Sequence, residues 1–574
     1  MPLAGKETAK AGPSLVRMLG VSMSLATLLL IDVWQTVVQV RSPQSLYLSV
    51  STPVSTLEIS ALLNLLGFTG LLFFLTWMLI ARRERRQRPG LYLPVAVAGG
   101  LIFWHLEEFA VAEFLLPILL MNANGFVSPA KAAITVYAVL CILTPALIGP
   151  AFLYWPRKAW NAVQTAALVL FPFSLLCIGQ TCWQAAFPPQ ITAKEKTSWP
   201  AAPDGSRKPL VLWVMFDEMD QSAAFRHSLG DFELPHLSAL RATSVQAERA
   251  CEPAGLTLMA IPSYTLGRKV ASVRSDSAND LLLRFEGAGT FVPWTQQRTL
   301  FHDAARAGRR TAILGYFHPY CRLFGNLTSA CEVCSYSEAG DIMKWWSLLQ
   351  SESLPRAALL QANHALPFPS TVRRFDGERF KIWQLAVLRH VERQHAEAVA
   401  RLRRSLLHIL ADRSIDFVFV HLPLPHPPAL TRVPGSEDVI GQEPGYASDL
   451  RAADFLLGEI RGALVSAGRW DESAVVLTSD HTVRGFWSNS LLLSPSLLKA
   501  ITTLKERTVP FLVKLPYQTQ ALRYAEPFNA VIVHGVVQGL LREEFKKPEE
   551  VLDYLRRNGA GGPCPASGSS EGRN

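Results

Sequence analysis

Carboxylate and imidazole side chains follow three apolar runs in the last two-thirds of the chain, near the point where each run ends. Because the carboxyl ends of parallel strands meet at one edge of a sheet, such side chains can share a site. Buried carboxylates are unfavourable unless something binds them, and Asp and His together bind divalent ions of the zinc or manganese type. The pattern therefore predicts a divalent metal site. The residues are Asp217 and Glu218 after 210–216, His421 and His426 around the end of 417–422, and Asp480 and His481 beyond 474–478.

Each of these motifs also has a simpler explanation when it is taken alone. An acidic residue after a strand is common as the N-cap of the next helix, and a single Asp-His pair is more often structural. Metal binding is favoured because the motifs occur together, in order, at successive strand ends.

The elements that would position these side chains are short apolar strands alternating with amphipathic helices. Continuous apolar strands are typical of a parallel sheet that helices cover on both faces. The sequence therefore predicts an α/β sandwich with a mostly parallel sheet over 210–557. The predicted strands are Leu210–Phe216, Thr311–Tyr316, Phe417–Leu422, Ala474–Thr478 and Val509–Lys514, and the predicted helices are 233–243, 298–308, 379–411, 446–466 and 528–543.

The first third of the chain has a different composition. Of the 574 residues, 49% are hydrophobic, and long apolar runs concentrate in 1–183. A spanning helix needs about 20 mostly apolar residues, so this part is predicted to be a multi-span helical membrane domain, which excludes a purely cytosolic enzyme. A proline-rich linker at 184–209 follows it, and the Gly- and Ser-rich tail 558–574 is predicted to be disordered. The predicted spans are 17–40, 58–81, 91–120, 132–154 and 161–183.

The placement of Lys and Arg orients these spans. Basic residues precede the first span, form a run at 82–88 and recur at Arg157 and Lys158, whereas the loop 41–57 has only Arg41. Because basic loops stay in the cytoplasm, this predicts a cytoplasmic N-terminus and an exported domain after about residue 186. The first span lacks a small-residue cleavage site, which favours an anchor over a removed signal peptide.

The net charge of +9 raises the question of a nucleic-acid partner. The sequence has no zinc finger, basic zipper or arginine-rich tract, and basic residues of membrane proteins commonly serve topology. We therefore expect an integral membrane protein without a nucleic-acid partner.

Three cysteines of the exported part lie close together in the sequence. Cys321, Cys331 and Cys334 could close one loop, and an exported compartment permits disulfides. Cys331-x-x-Cys334 is also compatible with a zinc or redox site, but no second CxxC is present. A loop disulfide is therefore favoured, with Cys321–Cys331 as the expected pair. The nearby segment 340–411 could cover the site, lie on the membrane surface or form a solvated helix.

Four segments of the exported part resemble a known family. They are Val211 to Glu218, LPHLSAL at 234–240, Thr257 to Arg268, and Asp480-His481. Together they resemble the sulfatase-like members of the alkaline phosphatase superfamily, which include sulfatases, lipid A phosphoethanolamine transferases and the glycerol-phosphate transferases of lipoteichoic acid synthesis. The resemblance extends over about 210–540 and implies an alkaline-phosphatase-like fold. The transferases are also similar in having five spans before an exported catalytic domain.

The nucleophile that the resemblance implies is Thr257. The run CEPAG at 251–255 is similar to the sulfatase motif C/S-x-P-x-R, but Gly255 stands where that motif has Arg. In sulfatases the nucleophile also lies ten residues before the glycine of a Gly-Arg pair. In this chain the pair is Gly267-Arg268, and the residue ten positions before Gly267 is Thr257. Threonine is the nucleophile of the related phosphotransferases, which implies a covalent phospho-threonine.

The resemblance also implies the roles of the remaining site residues. No His occurs in 482–533, and Thr482 stands where the family usually has Gly, so one metal ion is implied and a second one is not. The expected ligands of one zinc or manganese ion are Asp217, Thr257, Asp480 and His481, and the expected substrate-side residues are His426, His421, Glu218 and His318.

The sequence and its resemblance together predict a metal-dependent transferase of the bacterial inner membrane with a periplasmic catalytic domain. It would move a phospho-substituted alcohol group from a membrane phospholipid to an envelope glycan or lipid through phospho-Thr257. The alternatives are a membrane-anchored sulfatase- or phosphatase-type hydrolase on the same scaffold, and a non-catalytic envelope protein.

Overall fold

The computed structural model describes residues 15–48, 56–83, 154–187, 208–225, 233–275, 277–335, 353–365, 395–426, 446–483 and 507–559. The chain divides into two compact units. The first comprises Met1–Ser42, Pro53–Pro189 and Met343–Leu385, and the second comprises Pro43–Thr52, Gln190–Ile342 and Ala386–Asn574. Each unit is therefore assembled from separate parts of the sequence.

The described helices are α1 (Leu15–Leu29), α2 (Ile31–Val40), α3 (Pro43–Leu48), α4 (Thr56–Arg83), α5 (Pro156–Val169), α6 (Phe171–Ala186), α7 (Gln221–Phe225), α8 (Pro235–Arg241), α9 (Thr257–Leu266), α10 (Leu300–Arg306), α11 (Tyr320–Phe324), α12 (Leu354–Ala365), α13 (395–411), α14 (Tyr446–Ser466), α15 (Val533–Leu541) and α16 (Pro548–Asn558). Short 3₁₀ turns lie at Trp294–Gln296, Gly325–Leu327 and Ala530–Ile532.

The described strands are β1 (Val211–Asp217), β2 (Val245–Ala247), β3 (Ala250–Cys251), β4 (Val270–Arg274), β5 (Leu282–Phe285), β6 (Val292–Pro293), β7 (Thr311–Phe317), β8 (Ala330–Ser335), β9 (Phe417–Pro425), β10 (Ala474–Ser479), β11 (Thr508–Val509), β12 (Phe511–Lys514), β13 (Leu522–Tyr524) and β14 (Phe528–Asn529).

The first unit contains the candidate membrane helices. Among the described residues, one helix, α4 over Thr56–Met78, is long and apolar enough to cross a membrane. The pairs α1/α2 and α5/α6 qualify only if each pair is one broken span, since they bend by 64° and 41°. The second bend lies beside Pro172, which lacks the N–H needed to continue the helix. Three of the five predicted spans thus fall on described helices, and the candidates 91–120 and 132–154 fall almost entirely outside the described residues.

Helix α12 comes from the exported half of the sequence but belongs to the first unit. Gln361 of this helix is fully buried, and its Nε2 donates to the Leu57 carbonyl at 3.1 Å and to Ser60 Oγ at 2.6 Å. Asn64 Nδ2 in turn donates to the Ala358 carbonyl at 2.9 Å. Within 340–411, α12 therefore packs on a candidate membrane helix, whereas α13 packs in the second unit.

The main sheet of the second unit is mostly parallel, as predicted. Within the described residues it has eight strands in the order β13-β2-β12-β10-β1-β9-β7-β8. The run from β10 to β8 is parallel throughout, and β12 pairs antiparallel with both of its neighbours. The central strand β1 lies between β10 and β9, so the carboxyl ends of these three strands meet at one edge.

Helices cover both faces of this sheet, which explains the continuous apolar strands. Successive side chains of a strand point to opposite faces, and both sets are buried here. One face packs against α9, α10 and α15, and the other packs against α8, α13 and α14. The first face takes Val211, Trp213 and Met215 of β1, and the second takes Leu212, Val214 and Phe216.

Two predicted elements are interrupted in the structure. The predicted strand Val509–Lys514 is divided at Pro510 into β11 and β12, which lie in different sheets. Proline has no N–H to donate to a ladder, so a strand rarely continues through it. The predicted helix 528–543 begins only at Val533, after β14 and a 3₁₀ turn. Of the predicted helix 379–411, only 395–411 lies among the described residues, and it is helical.

The expected disulfide Cys321–Cys331 is present and links α11 to β8. Cys334 is buried and its Sγ donates to the Ala398 carbonyl at 3.7 Å, and no group of metal-binding side chains among the described residues contains a cysteine. The disulfide interpretation of this loop is therefore confirmed.

Candidate metal centre

Three of the predicted metal ligands lie together at the carboxyl edge of the main sheet. Asp217 is the last residue of β1, and Asp480 and His481 directly follow the neighbouring parallel strand β10. One ligand atom from each residue lies within 4.8 Å of the other two, and all three residues are buried. The strand pairing explains this adjacency, because it sets Phe216 opposite Ser479.

The ring of His481 is oriented by the next residue of the chain. Its Nδ1 lies 2.8 Å from the Thr482 carbonyl oxygen, which can only accept, so Nδ1 carries the proton. In the neutral ring Nε2 is then unprotonated, and it lies 3.3 Å from Asp480 Oδ2 and 3.9 Å from Asp217 Oδ1. A ring held at one nitrogen by a backbone carbonyl, with the other nitrogen facing carboxylates, is typical of a metal ligand.

Asp480 is held in its ionised form inside the protein. Its Oδ1 accepts from the backbone N–H of His481 at 2.7 Å and of Glu218 at 3.1 Å. Burial raises the pKa of Asp480, but His481, His421, the Glu218 N–H and the Thr257 hydroxyl beside it outweigh this effect, so the pKa is lowered overall. Oδ2 has no hydrogen-bond partner among the described residues. A charged, buried oxygen without a donor favours a bound cation.

Thr257 joins this cluster from the start of α9. It is buried, and its Oγ1 lies 3.2 Å from His481 Nε2. The first N–H groups of a helix have no partner within the helix, so this position favours an anion such as a phosphate group. The helix ends at Gly267 in the left-handed region with φ 65°, where a Cβ would lie 2.9 Å from the His534 ring. The glycine of the Gly267-Arg268 pair is thus required by the helix end.

Glu218 and His426 form a second buried polar pair in the same region. His426 follows β9, and its Nε2 lies 4.0 Å from Glu218 Oε1. Glu218 has φ 63°, which is strained for a residue with a side chain. The hydroxyl of Tyr446 donates to the Glu218 carbonyl at 2.6 Å and stabilises this conformation of Glu218. The substrate-side role of the pair stays a prediction.

The two other predicted histidines are engaged by protein groups. His421 lies inside β9, with Nδ1 3.0 Å from the Tyr316 carbonyl and 3.1 Å from the Tyr320 hydroxyl, and burial lowers its pKa to about 4. His318 lies with Nε2 3.1 Å from the Thr257 carbonyl, and burial lowers its pKa to about 3. Their contact with a substrate also stays a prediction.

Two further residues support the centre and are not identified by the sequence analysis. Glu252 Oε2 accepts from the N–H of Thr482 at 2.7 Å and from its Oγ1 at 2.8 Å. Tyr47 places its hydroxyl 2.9 Å from His318 Nδ1, although 271 residues separate the two in sequence. The sequence analysis considered the segment 251–255 because of Cys251, and Glu252 is the next residue. No sequence pattern around Tyr47 indicates a role in the site.

The structure also bears on the alternative nucleophile. Cys251 is disulfide-bonded and buried in β3. It therefore has no free thiol, which agrees with the preference for Thr257.

The side chains present suit a divalent ion. The cluster offers two carboxylates, one imidazole nitrogen and the Thr257 hydroxyl, which are donors for zinc or manganese. Among the described residues, no other group of three His, Cys, Asp or Glu side chains has this geometry.

No known family profile matches the chain, and no curated protein matches it. Solved structures do resemble it, at low identity. The phosphonate monoester hydrolase of Agrobacterium radiobacter is 14% identical with a TM-score of 0.35, over 58% of this chain and 74% of that one. The lipoteichoic acid synthase LtaP from Listeria monocytogenes is 14% identical with a TM-score of 0.35, over 60% and 76%. A protein in the alkaline phosphatase superfamily from Vibrio parahaemolyticus is 13% identical with a TM-score of 0.34, over 61% and 70%.

The names of these proteins agree with the group that the sequence motifs resemble. Similarity at this level of identity and TM-score carries no information about the reaction or the substrate.

Proposed function

We propose that this chain is a membrane-anchored, metal-dependent transferase with Thr257 as its nucleophile. The observation that carries the proposal is the position of Thr257 Oγ1, 3.2 Å from His481 Nε2, in the cluster that contains the Asp217 and Asp480 side chains. A hydroxyl is a weak nucleophile unless its deprotonated form is stabilised. When bound by these four side chains, a zinc or manganese ion supplies that stabilisation.

The proposed reaction exchanges one phosphate ester for another. Thr257 Oγ1 gives up its proton and forms a bond to the phosphorus of a phospholipid, and the bond from phosphorus to the diacylglycerol oxygen breaks as that oxygen takes a proton. An acceptor hydroxyl then loses its proton and forms a bond to the same phosphorus, while the bond from phosphorus to Thr257 Oγ1 breaks and Oγ1 regains a proton. The start of α9 favours the phosphate, and the buried pair Glu218 and His426 would contact the transferred group.

We place the catalytic unit outside the cytoplasm, at the bacterial inner membrane. The basic residues around the predicted spans support this orientation. A second, independent observation is that Pro43–Thr52, between α2 and α4, belongs to the unit that contains Thr257. The loop after the first membrane segment and the catalytic unit then lie on the same side of the membrane. A reporter that is active only outside the cytoplasm should be active when fused after Gly559 and inactive when fused after Arg83.

The donor in this proposal is a membrane phospholipid, and the acceptor is an envelope glycan or lipid. This assignment rests on the resemblance of the motif residues and on the candidate membrane helix α4, which would keep the enzyme in the same membrane as its donor. Nucleic acid has no place in the proposal.

The direct test is the intact mass of the full-length protein after incubation with a bacterial phospholipid extract, with and without a chelator. We expect a chelator-sensitive mass increase that maps to Thr257, and its size identifies the transferred group. Thr257→Ala should abolish the increase. The matched variant Thr243→Ala should retain it, because that hydroxyl donates to the Ala239 and Leu240 carbonyls of the preceding helix α8 and is outside the metal cluster.

A hydrolase on the same scaffold predicts a different set of products. With water as the acceptor, a free phospho-alcohol would be released from the phospholipid extract, together with diacylglycerol and without any envelope glycan. Such release, dependent on Thr257, would replace the transferase with a hydrolase. Absence of the adduct, of product release and of bound metal would instead indicate a non-catalytic protein.

A further inference from the structure

The segment between the first two candidate membrane segments lies inside the catalytic unit. Helix α3 belongs to that unit, although α2 before it and α4 after it belong to the other one. Tyr47 of α3 is fully buried there, and it is part of the same hydrophobic cluster as Ile261 and Tyr264 of α9. A residue of the membrane part of the sequence thus packs in the core of the catalytic unit.

The backbone of α3 is held in place by two polar side chains. Arg322 of α11 donates from Nη1 to the Leu46 carbonyl at 3.2 Å and from Nη2 to the Tyr47 carbonyl at 3.0 Å. Ser275 Oγ donates to the Pro43 carbonyl at 3.1 Å. The disulfide at Cys321 fixes the helix that carries Arg322. The position of Tyr47 is therefore set by the catalytic unit itself.

The hydrogen bonds from Tyr47 to the proposed nucleophile have one possible direction. The Thr257 carbonyl can only accept, so His318 Nε2 must carry a proton and donate to it at 3.1 Å. In the neutral ring Nδ1 then has a free electron pair, and it accepts from the Tyr47 hydroxyl at 2.9 Å. His318 is fully buried, and the Trp294 ring lies edge-on to it at 5.1 Å between centroids. Its ring is therefore fixed at both nitrogens and on one side.

We propose that Tyr47 is a positioning residue for Thr257 and acts through His318. The loop between α2 and α4, which contains α3, would then complete the catalytic centre. The carbonyl of the nucleophile is tethered to that loop by two successive hydrogen bonds. Loss of the Tyr47 hydroxyl frees the His318 ring to rotate and loosens the first turn of α9. The inference rests on the proposed function for its consequence in catalysis, and on the geometry alone for the tether.

The test uses the full-length protein with Tyr47→Phe, which keeps the ring and removes only the hydroxyl. We expect kcat for formation of the Thr257 adduct to fall about tenfold, as for one lost hydrogen bond, with KM unchanged because no substrate contact is removed. Hydrogen exchange of the amides in the first turns of α9 should become faster. Tyr517→Phe, at a tyrosine that is 72% exposed, is the matched control and should leave both quantities unchanged.

A second variant separates a tether from a general loss of packing. In a His318→Gln background, Tyr47→Phe should have no further effect on kcat or on exchange, because the intermediate link is already absent. Additive effects, or a Tyr47→Phe variant that matches the wild type in kcat and exchange, would overturn the inference. If the wild type forms no adduct and releases no product, the proposed function fails, while the exchange measurements still decide the tether.

Discussion

Glu252 should set the metal affinity of the proposed centre, although it is not one of the ligands. Its carboxylate holds Thr482, and the carbonyl of Thr482 orients His481 through Nδ1. The perturbation is Glu252→Ala, compared with the milder Glu252→Gln. Glu286→Ala, at an exposed glutamate directly after β5, serves as the control.

The expected magnitude follows from the contacts that are lost. Thr482 donates to Glu252 from its N–H at 2.7 Å and from Oγ1 at 2.8 Å, and both groups are buried. A buried donor left unpaired costs about 1–3 kcal/mol, so with two donors Glu252→Ala should lower the free energy of unfolding by about 2–6 kcal/mol. Residues that orient a metal-binding histidine typically change metal affinity about 10- to 100-fold. Both donors meet the single oxygen Oε2, so the amide oxygen of Glu252→Gln can still accept both bonds, and its effects should be well below those of Glu252→Ala.

The assay is a metal titration of the chelator-treated, full-length protein, followed by thermal unfolding. The dependence of the midpoint on zinc or manganese concentration gives the dissociation constant without any turnover. The midpoint without metal reports the loss of stability separately. If Glu252→Ala folds and binds metal as tightly as Glu286→Ala does, Thr482 does not orient His481 and the reasoning is refuted.

Three further predictions concern the rest of the structure. Gln361→Leu should weaken the packing of α12 on α4 by about 1–3 kcal/mol, because the buried hydrogen bonds from Gln361 Nε2 to Ser60 Oγ and to the Leu57 carbonyl are lost; hydrogen exchange of α12 should rise, and an unchanged rate would contradict this. Replacing Cys321 and Cys331 together by Ser should lower the free energy of unfolding by about 3 kcal/mol, since the disulfide closes a loop with a sequence separation of 10. An unfolding midpoint equal to that of the wild type would exclude this stabilisation. Burial lowers the pKa of Lys514 from 10.5 to about 8. Between pH 8 and pH 10.5 the unfolded chain therefore binds more protons than the folded one, and the free energy of unfolding should rise with pH. Lys514→Met should remove that rise when denaturation is measured across this pH range.

Much of the catalytic fold could be predicted from the sequence because its strands are locally distinct. The run before Asp217 is apolar at every position and the run before Asp480 is apolar over 474–477, and such continuous apolar stretches are typical of strands buried on both faces. Once such strands are parallel, their ends must meet, so the proximity of Asp217, Asp480 and His481 could be expected. The break at Pro510 was missed because the apolar residues around it suggest one strand.

The side-chain contacts of the site could not be predicted in the same way. The sequence does not indicate that Nδ1 of His481 faces the Thr482 carbonyl, or that Nδ1 of His421 faces the Tyr316 carbonyl. Glu252 is one of 47 acidic residues, and its burial against Thr482 depends on how the segment before α9 folds onto the end of β10. Such contacts are set by packing, which has no local pattern.

The sequence by itself determined the central strands β1, β7, β9 and β10, the acidic and imidazole residues at the strand ends, and Thr257 as the hydroxyl to examine. These are properties of short stretches, where the period of apolar residues and the residue type decide the outcome. Only the tertiary structure decided which atoms meet: His481 Nε2 with Thr257 Oγ1, and Tyr47 with His318 across 271 residues. The physical reason is that a hydrogen bond depends on distances of a few tenths of an ångström, and those distances come from the packing of the whole unit.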